Sequence, residues 1–133
     1  MRDQADLARG WLAKGDSDRT TADRLLQGGG PYDTACFHAQ QASEKYLKAV
    51  LAFAGHSIPR THDLEVLHHQ CLRVSPNLNL DRAELASLTP YAVQLRYDHE
   101  FWPSVATAQQ ALAAADRVRA AVFGFLPKET HTS

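Results

Sequence analysis

The apolar positions of the chain follow a helical rhythm most clearly between Ala35 and Phe53. Alternating steps of four and three residues place these side chains on one stripe along a helix. The stripe consists of Ala35, Ala39, Ala42, Tyr46, Ala49 and Phe53. Leu47, Val50 and Leu51 widen it towards the C-terminal end. A helix that is apolar over most of its circumference needs neighbours around it, so this one is predicted to be the central member of a bundle.

The remaining face of the central helix is polar. It carries His38, Gln41, Glu44, Lys45 and Lys48. Glu44 precedes Lys48 by four residues, which is the favourable order for an ion pair between successive turns. Because the rest of the helix is covered, this strip is where a partner or an anion is expected to meet it. We therefore take His38, Gln41, Lys45 and Lys48 as candidate binding residues.

A first helix is predicted from about Gln4 to Gln27, and its apolar stripe is weak in the polar run 15–19. Glycine in a helix costs about 1 kcal/mol relative to alanine, so packing must hold this run or the helix bends. The sequence Gly-Gly-Gly-Pro at 28–31 ends the helix, and Asp33 is the expected N-cap of the central helix. No strand precedes these glycines and no Gly-Lys-Ser/Thr follows, so they indicate a turn between helices and not a phosphate loop.

Three further helical segments follow the central helix. A third helix is expected to start near Asp63, and a fourth starts after Asp81, with Glu84 three residues later in a capping arrangement. Pro90 interrupts the fourth helix, where we expect a kink or a break that leaves its apolar stripe nearly continuous. Ser104 is the expected cap of a final helix.

These segments predict an all-α fold, an antiparallel (up-and-down) four-helix bundle with an additional short helix. At 133 residues the chain is long enough for one domain with one core. We expect residues 1–126 to form that domain and residues 127–133 to be a disordered C-terminal tail, because they are polar and terminal.

Composition narrows the classes of function. The net charge is -1 and the sequence pI is about 6.6. The chain therefore has no overall positive field to attract nucleic acid or anionic lipid. Contact with a polyanion would require a local positive patch or a symmetric partner. Cys36 and Cys71 are expected to be reduced, buried thiols. No apolar run approaches the roughly 18 residues of a membrane span, so we expect a cytoplasmic protein without membrane contact.

Seven histidines raise the question of a metal site. His68 and Cys71 are one helical turn apart, and His62 precedes His69 by seven residues. None of the histidines belongs to a His-Glu-x-x-His, a paired Glu-x-x-His or a Cys-x-x-Cys pattern. The prediction is that the protein has no metal site and no cofactor.

Two short polar segments remain as candidates for chemistry. In Arg60-Thr61-His62-Asp63-Leu64, Thr61 or His62 can cap the third helix, while Arg60 and His62 can present cationic groups to an anion. In Arg96-Tyr97-Asp98-His99, an arginine, a carboxylate and an imidazole are suited to phosphoryl transfer, and they are equally suited to a charged loop.

The order of these motifs resembles the HEPN domain family. The motifs are the run 35–49, then Arg60-Thr61-His62-Asp63-Leu64, then Tyr91-Ala92-Val93-Gln94-Leu95-Arg96-Tyr97, and the similarity extends over about residues 5–122. The resemblance implies a helical bundle that forms a symmetric homodimer and is encoded beside a minimal nucleotidyltransferase, in pairs that resemble toxin–antitoxin systems. Many relatives are metal-independent ribonucleases with a histidine four to six residues after an arginine. Others are thought to bind nucleotide, RNA or the partner protein.

The chain departs from that ribonuclease spacing, because His99 follows Arg96 by only three residues. The leading hypothesis is therefore a homodimeric module associated with nucleotide or RNA, which binds through His38, Gln41, Lys45, Lys48, Arg60 and His62 and is paired with a nucleotidyltransferase. One alternative is a metal-independent endoribonuclease in which Arg96, Asp98 and His99 are catalytic, with one helical turn placing Arg96 and His99 on a common face. A second alternative is an interaction bundle without a ligand.

Overall fold

The computed structural model describes residues 3–131 of the chain. Its elements are α1 (Gln4–Gln27), α2 (Tyr32–Phe53), α3 (Leu64–Leu72), α4 (Arg82–Leu88), α5 (Tyr91–Tyr97), α6 (Val105–Phe125) and a short 3-10 helix (Lys128–Thr130). No strand occurs in that part of the chain. The all-α prediction is confirmed: three long helices and the α4–α5 pair form the bundle, and α3 is the additional short helix.

Helix α2 lies at the centre of the bundle, as its sequence predicts. It contacts α1, α3, α4, α5 and α6. The predicted stripe is buried except for Phe53, which packs half-buried against the core, and Leu47, Val50 and Leu51 are fully buried. Packing on nearly all sides leaves only one narrow strip of α2 to meet solvent.

The polar run in α1 is held by packing against α2 and α6. A Cβ on Gly15 would lie 2.7 Å from Cε1 of Tyr46, so the missing side chain is what allows this ring to pack against α1. The Tyr46 hydroxyl donates to Asp16 at 2.6 Å, and Arg119 of α6 donates to the same carboxylate at 2.8 Å. The residues that weaken the helical pattern are therefore those that join α1 to its neighbours.

The turn between α1 and α2 differs in one detail from the prediction. Gly29 and Gly30 have φ angles of 86° and 107°, which side-chain-bearing residues rarely adopt. The N-cap of α2 is Pro31, and Asp33 lies inside the first turn, where its carboxylate accepts from the Thr34 amide at 2.9 Å. The prediction of Asp33 as the cap is wrong because the helix begins directly after the proline.

The fourth predicted helix is broken at Pro90. Helix α4 ends at Leu88, α5 begins at Tyr91, and Asp81 caps α4 as expected. Thr89, at the break, accepts a hydrogen bond from the Leu64 amide at 3.1 Å and so ties the start of α3 to the break. Leu85, Leu88 and Ala92 are all buried, so the apolar stripe continues through the break as predicted.

The C-terminal segment does not follow the prediction of disorder. Ser104 caps α6, and beyond that helix residues 127–131 pack back on the bundle. Thr130 is fully buried, the ring of His131 lies 4.6 Å from that of Phe123, and Arg9 of α1 donates to the Glu129 carbonyl at 2.8 Å. Polar composition was a poor guide because these contacts use backbone carbonyls and a tilted contact between two rings. Residues 132 and 133 lie outside the described residues.

Between residues 3 and 131, no helix combines the length and apolar character that crossing a membrane requires.

Candidate functional site

One strip of α2 remains open between α1 on one side and α5 with the 55–63 loop on the other. We call it the α2 face and define it as Phe37, His38, Gln41 and Lys45, flanked by Arg96 and His62. The four α2 residues are partly exposed, and both flanking residues are exposed. Five of the predicted site residues, His38, Gln41, Lys45, His62 and Arg96, therefore lie on or beside one surface.

Asp18 of α1 organises the first edge of the α2 face. One carboxylate oxygen accepts from His38 Nδ1 at 2.8 Å, and the other accepts from Lys45 Nζ. Burial by itself would raise the pKa of Asp18, but the hydrogen bonds from His38 and Lys45 outweigh it and hold the pKa below its ordinary value. Asp18 therefore carries a negative charge that orients His38 and neutralises Lys45.

Glu44 organises the second edge. Its carboxylate accepts from Lys48 Nζ at 2.8 Å, from His62 Nδ1 at 2.8 Å and from Gln40 Nε2 at 3.3 Å. Burial raises the pKa of this carboxyl, and the hydrogen bonds from Lys48 and His62 more than compensate, so the pKa lies below its ordinary value. A buried, ionised carboxylate thus fixes the loop imidazole against α2.

Lys48 differs from its predicted role. Only 10% of its side chain is exposed. Its ammonium group pairs with Glu44 and also lies 5.6 Å from the ring centre of Trp11. The ion pair at four-residue spacing is present as predicted, but burial removes this lysine from the surface that a ligand could contact.

Arg96 lies against the α2 face through Phe37. The guanidinium carbon is 5.5 Å from the Phe37 ring centre, and the His38 ring packs edge-on with Phe37, the two ring centres being 5.3 Å apart. A cation in this position gains from the negative face of the ring. Phe37 therefore places an arginine and an imidazole on the same open surface.

Asp98 and His99 are not brought to the α2 face by a continuing helix. Helix α5 ends at Tyr97, and Asp98 has extended backbone angles. The Asp98 carboxylate accepts from the Glu100 amide at 3.0 Å, and the His99 carbonyl accepts from Trp102 Nε1 at 3.1 Å. The idea that one helical turn relates Arg96 to His99 is wrong because the chain leaves the helix between them.

The loop before α3 is fixed mainly by Asp63. Its carboxylate accepts from the amides of Glu65 and Val66, so Asp63 is the cap, in place of Thr61 or His62. Thr61 Oγ1 accepts from the Asp63 amide at 3.1 Å. Arg60 is exposed in the same loop. With the capping role filled by its neighbour, the side chain of His62 is free to bond Glu44.

Sequence reasoning missed the importance of Asp18, Glu44 and Phe37. In the sequence, Asp18 belongs to the run that weakens the helical pattern of α1, and the spacing of Glu44 indicates only a pair with Lys48. The sequence did contain a signal. A carboxylate that lies in a helix packed against neighbours is costly to bury unless a cation pairs with it, so Asp18 and Glu44 could be expected to have cationic partners. Which cations those are depends on tertiary contacts that spacing along one helix does not contain.

Other clefts lie away from these residues. One of about 580 Å³ is formed by the loop 74–79 and the end of α6, and one of about 490 Å³ lies between α4 and α6. In the second cleft, Arg117 is paired with Glu84 through Nε at 2.9 Å. Neither cleft is lined by a predicted site residue. Among the described residues, no group of three or more His, Cys, Asp or Glu side chains could hold a metal ion.

Comparisons with known proteins agree with this architecture. A family model of the HEPN domain matches residues 8–126. The crystal structure of TT1696 from Thermus thermophilus is similar with a TM-score of 0.77 and 27% identity, over 90% of this chain and 98% of that one. The crystal structure of ST0689, an archaeal HEPN homologue, is similar in fold with a TM-score of 0.68 and 22% identity, over 93% and 98% of the two chains. No curated protein matches the chain.

The matched region runs from α1 to the end of α6 and includes every element that borders the α2 face. The chain belongs to the HEPN domain family.

Proposed function

We propose that this protein is a nucleotide- or RNA-associated helical module whose ligand binds on the α2 face. The observation that carries the proposal is the position of Arg96. It is an exposed cation on the ring of Phe37, which also contacts the His38 imidazole, and it takes part in no ion pair among residues 3–131. Arginine pairs with phosphate in a bidentate manner, and aromatic rings stack on bases, so the group has the two functions that a nucleotide requires.

The lysines of α2 contribute less to ligand binding than Arg96 does. Lys45 and Lys48 are neutralised by Asp18 and Glu44, so they add little attraction for a polyanion. Arg96 and Arg60, outside these pairs, are the groups that favour a phosphate. With a net charge of -1 on the chain, this local arrangement is what would overcome the absence of a general positive field.

A symmetric homodimer is part of the proposal. Val93 and Tyr97 lie four residues apart on α5 and are exposed at 48% and 74%, and Trp102 after this helix is exposed at 75%. Aromatic side chains of this kind commonly anchor interfaces. A two-fold contact here would bring two copies of Arg96 together, since Arg96 is on the same helix, and would concentrate positive charge. Light scattering should give twice the chain mass of 14.7 kDa at micromolar concentration.

The proposed protein partner is a minimal nucleotidyltransferase, in a system that resembles a toxin–antitoxin pair. Membership of the HEPN family supports this proposal. A gene for such an enzyme beside this one, and co-purification of the two products, is the expected result. Separate elution of the two purified products at micromolar concentration would remove the partner from the proposal.

A metal-independent endoribonuclease is the second candidate. Two observations support this candidate: Arg96 and His99 are both exposed, and they are only three residues apart. One RNA strand could therefore contact both side chains. Cleavage of single-stranded RNA in EDTA, lost in His99→Ala, would establish this activity. Intact RNA in the presence of folded protein would reject it.

Binding of labelled single-stranded RNA and of nucleotides tests the main proposal. Arg96→Gln should weaken binding about tenfold or more, because a hydrogen bond to a charged group is worth about 1.5–3 kcal/mol. Arg82→Gln is the matched control, since Arg82 is exposed and only loosely paired with Glu65 at 3.7 Å. Equal binding by wild type and Arg96→Gln would reject the assigned site. Absence of binding and of ligand-induced thermal stabilisation would favour an interaction bundle without a ligand.

A further inference from the structure

The two nitrogens of His62 lie in different surroundings. Nδ1 is 2.8 Å from the Glu44 carboxylate, whose side chain is 5% exposed, whereas the side chain of His62 is 57% exposed. Nε2 has no partner among the hydrogen bonds of residues 3–131. One edge of the imidazole is therefore anchored on Glu44, and the other edge has no protein partner in that part of the chain.

The hydrogen bond at Nδ1 determines whether Nε2 of a neutral imidazole is a donor or an acceptor. An ionised carboxylate only accepts hydrogen bonds, so Nδ1 must carry the proton in the contact with Glu44. In a neutral imidazole, Nε2 is then unprotonated and is an acceptor. Glu44 stays ionised because Lys48 also donates to it, at 2.8 Å.

The position of His62 is fixed in advance as well. Its backbone carbonyl accepts from Gln40 Nε2 at 3.0 Å, and Gln40 is fully buried on α2. Backbone and ring are thus both tied to α2. A side chain held this way loses little further freedom when a ligand binds, so more of its hydrogen-bond energy contributes to affinity.

In its neutral form His62 has an outward acceptor, and an acceptor selects ligand groups that donate a hydrogen bond. Phosphate diester oxygens carry no proton and cannot donate to Nε2, whereas the ribose 2'-hydroxyl can. The charged group that the ring contacts is Glu44, to which Lys48 is also bonded. Arg60 and Asp63 belong to the same loop, and the Asp63 carboxylate is engaged at the start of α3. Arg60 and Arg96 are exposed and are suited to phosphate, so the role that remains for His62 in the proposed binding mode is contact with the sugar.

We propose that His62 accepts a hydrogen bond from a ribose 2'-hydroxyl through Nε2, that Glu44 is the positioning residue that sets this state, and that the α2 face consequently prefers RNA to DNA. The 2'-hydroxyl is the group by which a protein distinguishes the two nucleic acids. This inference rests on the proposed function, because it requires a nucleic-acid ligand on the α2 face.

Two substitutions at His62 distinguish the contribution of Nδ1, which bonds Glu44, from that of Nε2. The amide nitrogen of asparagine takes the place of Nδ1, so His62→Asn keeps a donor to Glu44 and removes the outward acceptor. The amide group of glutamine extends to the place of Nε2, so His62→Gln keeps an outward polar group and loses the geometry of the Glu44 contact. His69→Asn is the control, because His69 is an exposed histidine of α3 outside the α2 face.

The experiment measures fluorescence anisotropy of one mixed-sequence single-stranded 12-mer as RNA and as DNA at fixed salt. Wild type and His69→Asn should bind the RNA about three- to tenfold more tightly than the DNA, the range expected for one hydrogen bond. His62→Asn should lower RNA affinity to that of DNA and leave DNA affinity unchanged. Equal affinities in wild type, or a preference that survives His62→Asn, would overturn the inference while binding itself upholds the proposed function. Absence of binding to both strands would overturn both.

The role of Glu44 has its own readout. Nitrogen-15 NMR of the imidazoles should show neutral His62 protonated at Nδ1 in wild type, and Glu44→Gln should shift it towards the Nε2-protonated form while reducing the RNA preference. Glu44→Asp, which retains a carboxylate, should restore part of both. A wild-type His62 protonated at Nε2 would overturn the assignment, whatever the binding result.

Discussion

Asp18 Oδ1 of α1 lies 2.8 Å from His38 Nδ1 of α2, and the second oxygen of the same carboxylate holds Lys45. The segment of α1 with least apolar surface is thus attached to α2 by charged contacts in addition to the packing of Tyr46 on Gly15. The same contact orients an imidazole on the α2 face. Stability of the bundle and geometry of the candidate site are therefore linked through one carboxylate.

Asp18→Asn should destabilise the bundle by about 2 kcal/mol. The substitution leaves the part-buried ammonium of Lys45 without its counter-charge, and removal of one partner of a fully buried pair costs about 3–5 kcal/mol. The Asp18 side chain is 12% exposed, which places the expected cost below that range. Denaturant unfolding at pH 7 measures the change.

Asp23→Asn is the control for this prediction. Asp23 lies on the same helix and accepts from Gln27 Nε2 at 3.0 Å at the surface. Its substitution should change the free energy of unfolding by no more than about 0.5 kcal/mol. Equal effects of the two substitutions would show that the Asp18 contacts do not hold α1.

Two glycines of α1 should respond to alanine in opposite directions. Gly15→Ala places a Cβ 2.7 Å from the Tyr46 ring, and overpacking of this kind costs about 1–3 kcal/mol. Gly10 has no atom within 4 Å of an added Cβ, so Gly10→Ala should stabilise by about 0.5–1 kcal/mol through helix propensity. Thermal unfolding of both variants checks the pair, and a stabilised Gly15→Ala would contradict the observed packing of Tyr46.

Three carboxylates, two of them partly buried and one buried, predict how stability depends on pH. Asp16, Asp18 and Glu44 have folded-state pKa values below the ordinary 3.8 for aspartate and 4.5 for glutamate, since hydrogen bonds from their partners outweigh burial. A group whose pKa is lower in the folded state binds its proton more readily when unfolded, so its stabilisation is complete above the ordinary pKa and is lost as pH falls below it.

The free energy of unfolding should therefore decrease as the pH falls below about 4.5, through the ordinary pKa values of these carboxyls. The decrease should be smaller in Asp18→Asn, which has lost one of the three groups. Urea unfolding between pH 3 and 6 measures it. A wild-type free energy that is constant through this range, or an undiminished decrease in the variant, would contradict the assigned ion pairs.

The two cysteines should be nearly unreactive in the folded protein. Burial raises the pKa of Cys36 to about 11 and that of Cys71 to about 12, and both side chains are fully buried. The thiolate is the reactive form, and at pH 8 it is roughly one part in a thousand or less for such pKa values. A disulfide-exchange reagent should react with both thiols in denaturant and with neither on the same time scale in buffer. Rapid reaction of Cys36→Ser or Cys71→Ser in buffer would show that the remaining thiol is accessible.

The apolar periodicity was sufficient to predict the helices, because the side chains that repeat at helical spacing are the ones the bundle buries. In α2, which neighbours cover on nearly every side, the stripe is visible directly in the sequence. The break at Pro90 and the caps at Asp81 and Ser104 followed from local chemistry in the same way. Asp33 and the segment after Pro127 did not, since each depends on contacts with other parts of the chain. Polar composition could not show that Thr130 is buried or that His131 packs on Phe123.

The candidate site was predictable only in part, for a related reason. The positions of His38, Gln41 and Lys45 on one helix face follow from the helical repeat. Whether a cation on that face is available to a ligand depends on its ion-pair partner. Asp18, which pairs with Lys45, comes from another helix, and His62, which bonds Glu44, comes from a loop. Neither contact can be derived from spacing along α2. Lys48 was assigned to the surface because the spacing that predicts its pair with Glu44 does not show that Trp11 of α1 lies against its ammonium group.

The most direct test of the α2 face as the ligand site is amide chemical-shift mapping of the nitrogen-15-labelled protein during titration with single-stranded RNA. Ligand binding on the α2 face should give the largest changes at Phe37, His38, Gln41 and Arg96, and these changes should be lost in Arg96→Gln. Changes concentrated instead in the α4–α6 cleft around Glu84 and Arg117, with the α2 face unaffected, would contradict it.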